Sequence, residues 1–150
     1  MTFATRTEAG EQLAAALVAL GPADPVVLAL PRGGVPVAVP IAVSLQAPLD
    51  LVMARKIGVP GHEEVAAGAV VNGEDPHIVV NPSVLAAAGM SEEQVRDLAE
   101  RELATIRRRR DQCHAGRVPV EVRGRTAIVV DDGIATGATM RVALQAVRRR

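Results

Sequence analysis

Residues 128–140 read Ile128-Val129-Val130-Asp131-Asp132-Gly133-Ile134-Ala135-Thr136-Gly137-Ala138-Thr139-Met140, and this stretch decides the fold. It continues an apolar run that is typical of a strand buried on both faces of a parallel sheet. Two carboxylates follow the strand directly, and small or hydroxylated residues then lead into a helix with apolar residues at helical spacing. A buried strand, a loop and a helix in this order indicate an α/β domain.

The loop over residues 131–138 is suited to binding an anion. Gly133 and Gly137 free the backbone, so several N–H groups can point at one anion, and the helix that follows adds a favourable dipole. Thr136 and Thr139 add hydroxyl donors. The paired carboxylates at the other end suit vicinal hydroxyls or a hydrated Mg²⁺. A sugar phosphate has both features, and ligands of open α/β sheets bind at this edge.

Three other interpretations of this segment are less favoured. A Walker loop would end in Gly-Lys-Ser/Thr, and the dinucleotide fingerprint would read Gly-x-Gly-x-x-Gly; neither pattern is present. An acidic strand end followed by an ordinary turn would leave the agreement of strand, acid pair, glycines, hydroxyls and helix to chance.

Apolar patterns along the rest of the chain alternate between strands and helices, so we expect an α/β fold with a mainly parallel sheet and helices on both faces. Thr5 with Glu8 and Ser91 with Gln94 are capping boxes that predict helix starts. The turn residues of segment 57–64 predict a loop. Strands are predicted at residues 25–30, 49–54, 65–71, 77–80 and 126–130, and helices at 7–20, from 35, after 91 and from 140.

Composition limits the class of protein. A length of 150 residues predicts one domain. Formal charge is zero, with 17 basic and 17 acidic residues, which argues against a nucleic-acid or membrane-surface binder. Phe3 is the only aromatic residue, so the usual stacking platform for a base is missing. The single Cys113 and the lack of any apolar run of ~20 residues predict a cytoplasmic protein without a membrane span.

The segment quoted above resembles the phosphoribosyl pyrophosphate (PRPP) signature of the type I phosphoribosyltransferase family. Two further stretches agree with this resemblance in order and spacing. Residues 28–36, LALPRGGVP, resemble the first loop of the family, which receives the pyrophosphate. Residues 55–61, RKIGVPG, resemble the basic strand end of adenine-type members. The similarity covers most of the chain and is greatest to a subfamily with unassigned acceptors.

The resemblance implies a role for each matching residue. Asp131 and Asp132 would be the catalytic pair that holds the ribose 2′ and 3′ hydroxyls. Mg²⁺ would be the cofactor, carried by PRPP and water near this pair without a direct protein ligand. The peptide between Pro31 and Arg32 is expected to be cis. The 5′-phosphate would be bound by Ala135, Thr136, Gly137, Ala138 and Thr139, and the pyrophosphate by Arg32, Gly33, Gly34, Arg55 and Lys56.

The implied reaction transfers 5-phosphoribosyl from PRPP to a nitrogenous acceptor, as in purine or pyrimidine salvage, and a homodimer is common among relatives. Ala135 stands where 6-oxopurine enzymes have Asp, which makes hypoxanthine and guanine weaker candidates as acceptor. Glu63 or Glu64 could accept the proton, although an exposed loop carboxylate usually has no such role.

Relatives usually continue beyond the position of Arg150 with at least one more strand. We therefore expect an incomplete domain in which the strand at 126–130 lies at a sheet edge. Two alternatives to an enzyme stay open: a PRPP- or nucleotide-sensing module without catalysis, and a truncated domain with a structural or partner-binding role.

Overall fold

The computed structural model describes residues 3–72, 76–114, 116–134 and 137–149. These residues form helices and strands that confirm the α/β class. The helices are α1 (Arg6–Leu20), α2 (Gly34–Ser44), α3 (Pro82–Ala88), α4 (Glu92–His114) and α5 (Ala138–Arg148). The strands are β1 (Pro25–Ala29), β2 (Leu49–Leu51), β3 (Met53–Val59), β4 (His62–Asn72), β5 (His77–Val80) and β6 (Thr126–Val130).

A three-stranded parallel sheet in the order β2-β1-β6 forms the centre of the fold. Successive side chains of β1 point to opposite faces, and both faces are buried. Val27 packs with α1 and α2, whereas Leu28 packs with α5 on the other face, which confirms the prediction of helices on both sides. Burying a side chain such as Leu28 completely contributes roughly 1.5–3 kcal/mol. As expected, β6 is an edge strand among the described residues.

A second, antiparallel sheet in the order β3-β4-β5 was not predicted. The prediction of a loop at residues 57–64 is wrong, because β3 continues to Val59 and β4 begins at His62. Only Pro60 and Gly61 form the turn, with Gly61 at a φ of 80°. Gly58 lies at a register shift, where a Cβ would approach the backbone of Glu63 to 2.8 Å. Turn-forming residues therefore mark a tight hairpin with a bulge here.

The segment 49–54, predicted as one strand, divides between the two sheets. β2 pairs with β1 up to Leu51, and β3 starts the antiparallel sheet at Met53. Val52 joins them, is buried, and donates its N–H to the Ala29 carbonyl at 2.9 Å. A single apolar run thus connects the two sheets because its middle residue is held in the core.

The helix starts follow the predicted capping. The Thr5 hydroxyl accepts from Glu8 N at 3.1 Å, and Ser91 and Gln94 make reciprocal bonds of 3.2 and 2.8 Å. α3 was not predicted; it starts at Pro82, a residue favoured in a first helical turn. α4 covers the antiparallel sheet with an apolar stripe that includes Val95. None of the helices that the structure describes is both long and apolar enough to cross a membrane.

Candidate functional site

The acid pair lies at the carboxyl edge of the parallel sheet. β6 ends at Val130, which is buried, and Asp131 and Asp132 follow it out of the core. β1 and β6 are parallel with Ala29 opposite Val130, so the segments that follow both strands leave the sheet at the same level. Leu30 N donates to the Val130 carbonyl at 2.8 Å and extends this pairing by one residue. The sequence predicted this placement from the order of strand and acids.

The segment after β1 touches the acid pair directly. At Gly34 a Cβ would lie 2.5 Å from the Val130 carbonyl oxygen and 3.1 Å from Cα of Asp131. At Gly33 it would overlap the carboxylate of Asp132. Gly34 is therefore required by space, because its obstacle is backbone, whereas a Cβ at Gly33 would displace a side chain; Gly33 has ordinary helical dihedrals, φ −65° and ψ −34°. The peptide between Pro31 and Arg32 is cis, as expected.

Asp131 and Asp132 experience different electrostatic environments. Burial raises the pKa of Asp131, and the neighbouring Asp132 carboxylate adds to this shift, although Asp131 Oδ1 also accepts from Asp132 N at 2.9 Å. Hydrogen bonds from Arg6 lower the pKa of Asp132. Both Nε and Nη2 of Arg6 lie 2.7 Å from Asp132 Oδ2. Asp132 is therefore the more firmly charged member of the pair.

Sequence reasoning missed the role of Arg6, whose position was used only for the capping box. Its partner is 126 residues away in sequence. The residues three and four positions on are Ala9 and Gly10, so α1 offers Arg6 no acidic partner. The only local signal of this contact was an arginine at a helix start without an acidic residue three or four positions further on.

The segment predicted to bind the 5′-phosphate is described in part. Ala135 and Thr136 lie outside the described residues. Gly137 is the N-cap of α5 with a φ of 75°, in the left-handed region that favours glycine, and α5 begins at Ala138. Thr139 is exposed in the first turn of that helix. The start of α5 thus follows the acid pair at the same edge of the sheet.

The predicted pyrophosphate residues fall into two groups. Arg32 is exposed and directly precedes Gly33, which lies against Asp132 at the start of α2. Arg55 and Lys56 instead lie on β3 and line a cavity of about 360 Å³ between the antiparallel sheet and α5. Thr139 also lines this cavity, which connects the basic strand end to the start of α5.

Both basic residues of β3 have partners that the sequence did not predict. Arg55 Nε lies 2.5 Å from Glu102 Oε2 on α4, and this contact directs the guanidinium to the helix. Lys56 Nζ donates to the Glu64 carbonyl at 3.4 Å. The carboxylates of Glu63 and Glu64 are exposed at the start of β4.

Comparison with known proteins shows the family of this chain. The family described as phosphoribosyl transferase domain matches residues 6–150. Two strains of Mycobacterium tuberculosis, H37Rv and CDC 1551, have relatives named "Putative phosphoribosyl transferase", each 44% identical over 146 residues. This alignment covers 97% of the chain and 32% of each relative, so the chain spans less than half of their length.

A solved structure is similar over nearly the whole chain. The crystal structure of TT1426 from Thermus thermophilus is 41% identical and superposes with a TM-score of 0.82. The superposition covers 99% of this chain and 70% of that one. With the family match over residues 6–150, this establishes that the chain belongs to the phosphoribosyl transferase domain family.

Proposed function

We propose that this domain binds PRPP and transfers its 5-phosphoribosyl group to a nitrogenous acceptor, with release of pyrophosphate. The observation that carries the proposal is the contact between the acid pair and the loop after β1. In PRPP the pyrophosphate and the two hydroxyls are attached to adjacent carbons of one ribose ring, so the protein groups that bind them must be neighbours. Asp132 lies against Gly33, which meets this requirement.

The acid pair would bind the ribose and favour its reaction. Asp131 and Asp132 would together accept hydrogen bonds from the ribose 2′ and 3′ hydroxyls, and a charged Asp132 is the stronger acceptor. During transfer the bond from C1′ to the pyrophosphate oxygen breaks and a bond from C1′ to the acceptor nitrogen forms. Positive charge develops on the ribose, and nearby carboxylates stabilise it. The acceptor's proton would pass to a base, for which Glu63 and Glu64 are candidates.

The phosphate groups would bind on either side of the pair. Residues 135–139 would hold the 5′-phosphate, with the backbone N–H groups at the start of α5 contributing from Gly137 onward. Arg32, Gly33 and Gly34 would contact the pyrophosphate where α2 begins. Lys56 would approach the same ligand from β3, and Arg55 would have to exchange Glu102 for it.

Magnesium suits this arrangement as a substrate-bound ion. Within the described parts of the chain, no three His, Cys, Asp or Glu residues form a cluster that could hold a metal alone. Mg²⁺ commonly uses one or two carboxylates together with substrate phosphates. An ion carried by PRPP would reach Asp131 and Asp132 only through its bound water, and it would neutralise charge on the departing pyrophosphate.

Calorimetric titration of PRPP in the presence of Mg²⁺ tests the proposal. The chain should bind PRPP, and the double substitution Asp131→Asn and Asp132→Asn should abolish binding. Asp97→Asn is the matched control, because Asp97 is an exposed carboxylate on α4. Unchanged binding by the double variant refutes the assignment of the site.

Turnover is tested separately by measuring pyrophosphate release with a panel of nucleobases. Release that requires a base identifies the acceptor class and supports the transferase. PRPP binding without release for any base would instead favour the sensing module.

A further inference from the structure

Arg6 joins the start of α1 to the acid pair. It is the first residue of the helix, and the adjoining Thr5 and Glu8 fix that end by capping. Its guanidinium gives both of its contacts, each 2.7 Å, to the same oxygen, Asp132 Oδ2. In the described part of the chain, no group outside the acid pair donates to Oδ1 of Asp132.

The carboxylate of Asp132 is held by two contacts. Arg6 binds Oδ2, and the whole carboxylate lies against the backbone of Gly33, where a Cβ would overlap both oxygens. A carboxylate with one oxygen bound by a guanidinium loses rotational freedom and stays ionised, while its second oxygen is directed away from the cation. That second oxygen is the acceptor that a sugar hydroxyl needs.

We propose that Arg6 is a positioning residue for ribose recognition, which holds Asp132 Oδ2 so that Oδ1 is presented to a ribose hydroxyl. The inference rests on the proposed function, because it assigns the ribose to this carboxylate. Arg6 acts through Asp132 and has no contact of its own with the pyrophosphate. It should therefore affect ligands that contain the ribose and leave free pyrophosphate unaffected.

Arg125 is a matched control at the opposite edge of the same sheet. It precedes β6 and binds Asp24, which precedes β1, through Nε at 2.9 Å and Nη2 at 2.8 Å. This pair also joins distant parts of the sequence by arginine–aspartate contacts, but it lies at the amino ends of the strands. Arg125→Gln thus reports what loss of such a pair does to the fold alone.

The experiment measures ribose 5-phosphate and pyrophosphate binding separately, for Arg6→Gln, Arg6→Lys and Arg125→Gln. Arg6→Gln should weaken ribose 5-phosphate binding by roughly two- to five-fold, the range of an exposed ion pair. Pyrophosphate binding should not change. Arg6→Lys should restore part of the loss, because one ammonium replaces the two guanidinium contacts. Arg125→Gln should bind both ligands like the unmodified chain.

Acid pH gives a further readout that a purely structural role would not change. The only described charged groups that contact Asp132 are Arg6 and the adjacent Asp131. Removing the Arg6 cation should let Asp132 protonate more readily, so the acid loss of ribose 5-phosphate binding should move to higher pH in Arg6→Gln. The ligand phosphate titrates in the same way with every variant, so Arg125→Gln should show the pH profile of the unmodified chain.

Different results overturn different claims. Equal ribose 5-phosphate binding by the unmodified chain and Arg6→Gln overturns the inference alone. A loss confined to pyrophosphate also overturns it, because Arg6 would then contact the leaving group. Equal losses of ribose 5-phosphate binding in Arg6→Gln and Arg125→Gln would mean that the effect comes from lower stability of the fold, and this too overturns the inference. Failure of the unmodified chain to bind PRPP overturns the proposed function, and this inference with it.

Discussion

Gly33→Ala should separate ligand binding from stability. The added Cβ overlaps the Asp132 carboxylate, so this carboxylate must move away from the loop. Gly33 already has helical dihedrals, which alanine adopts without strain. Alanine has less conformational freedom than glycine in the unfolded chain, and this difference contributes about 0.4–1 kcal/mol of stability. Losing the exposed pair with Arg6 costs about 0.2–1 kcal/mol, so the net free energy of unfolding should change by less than about 1 kcal/mol.

Binding should respond much more strongly than stability. A hydrogen bond to a charged group contributes about 1.5–3 kcal/mol, which corresponds to a loss of roughly 10- to 150-fold in PRPP affinity when Asp132 is displaced. Calorimetric titration of PRPP and urea unfolding of the same samples measure the two quantities.

Gly34→Ala is the contrasting variant. Its Cβ would meet the Val130 carbonyl oxygen at 2.5 Å, and this backbone atom cannot move out to solvent as a carboxylate can. Overpacking of this kind costs about 1–3 kcal/mol, so Gly34→Ala should lower stability. PRPP affinity of Gly33→Ala equal to that of the unmodified chain, or a stability loss as large as that of Gly34→Ala, would refute the reasoning.

Three more outcomes follow from the described contacts. Asp50→Ala should lower the free energy of unfolding by about 1–3 kcal/mol in urea titrations, because this buried carboxylate accepts from two backbone N–H groups at 2.8 and 2.9 Å. Glu102→Gln should strengthen pyrophosphate binding in calorimetry, because it releases Arg55 from its ion pair. In thermal unfolding at pH 7, Asp131→Asn should raise the Tm, because the raised pKa of Asp131 means that the fold disfavours its ionised form. Asp132→Asn should lower the Tm, because Arg6 stabilises the ionised form of Asp132 in the fold. Both differences should disappear as pH falls and the carboxyls become protonated in the folded and unfolded states alike.

Each of these outcomes has a result that contradicts it. Asp97→Ala, on the exposed face of α4, controls for the loss of a carboxylate, and an equal effect there would remove the argument for Asp50. Pyrophosphate affinity that is unchanged in Glu102→Gln would mean that the ion pair does not compete with the ligand. Tm changes of the same sign for the two aspartate variants at pH 7 would contradict the opposite pKa shifts.

Local patterns predicted the central strands and the acid pair well, for a physical reason. A strand of a parallel sheet with helices on both faces needs a continuous apolar run, and the runs at 25–30 and 126–130 match β1, to within one residue, and β6. Capping boxes marked two helix starts, because the bonds that form them are local. The hairpin of β3 and β4 was missed, because Gly58 and Pro60 resemble a loop until strand pairing is known.

By itself, the sequence determined the α/β class, the order of the strand, acid pair and helix in residues 128–140, and the family resemblance, since all three depend on neighbours along the chain. Only the tertiary structure decided that Arg6 holds Asp132, that Gly33 lies under the same carboxylate, and that Arg55 is paired with Glu102. These partners are far apart in sequence: the parallel register of β1 and β6 brings Gly33 to Asp132, and the packing of α1 against α2 brings Arg6 there. Side-chain pairing across such distances depends on packing, which no local pattern records.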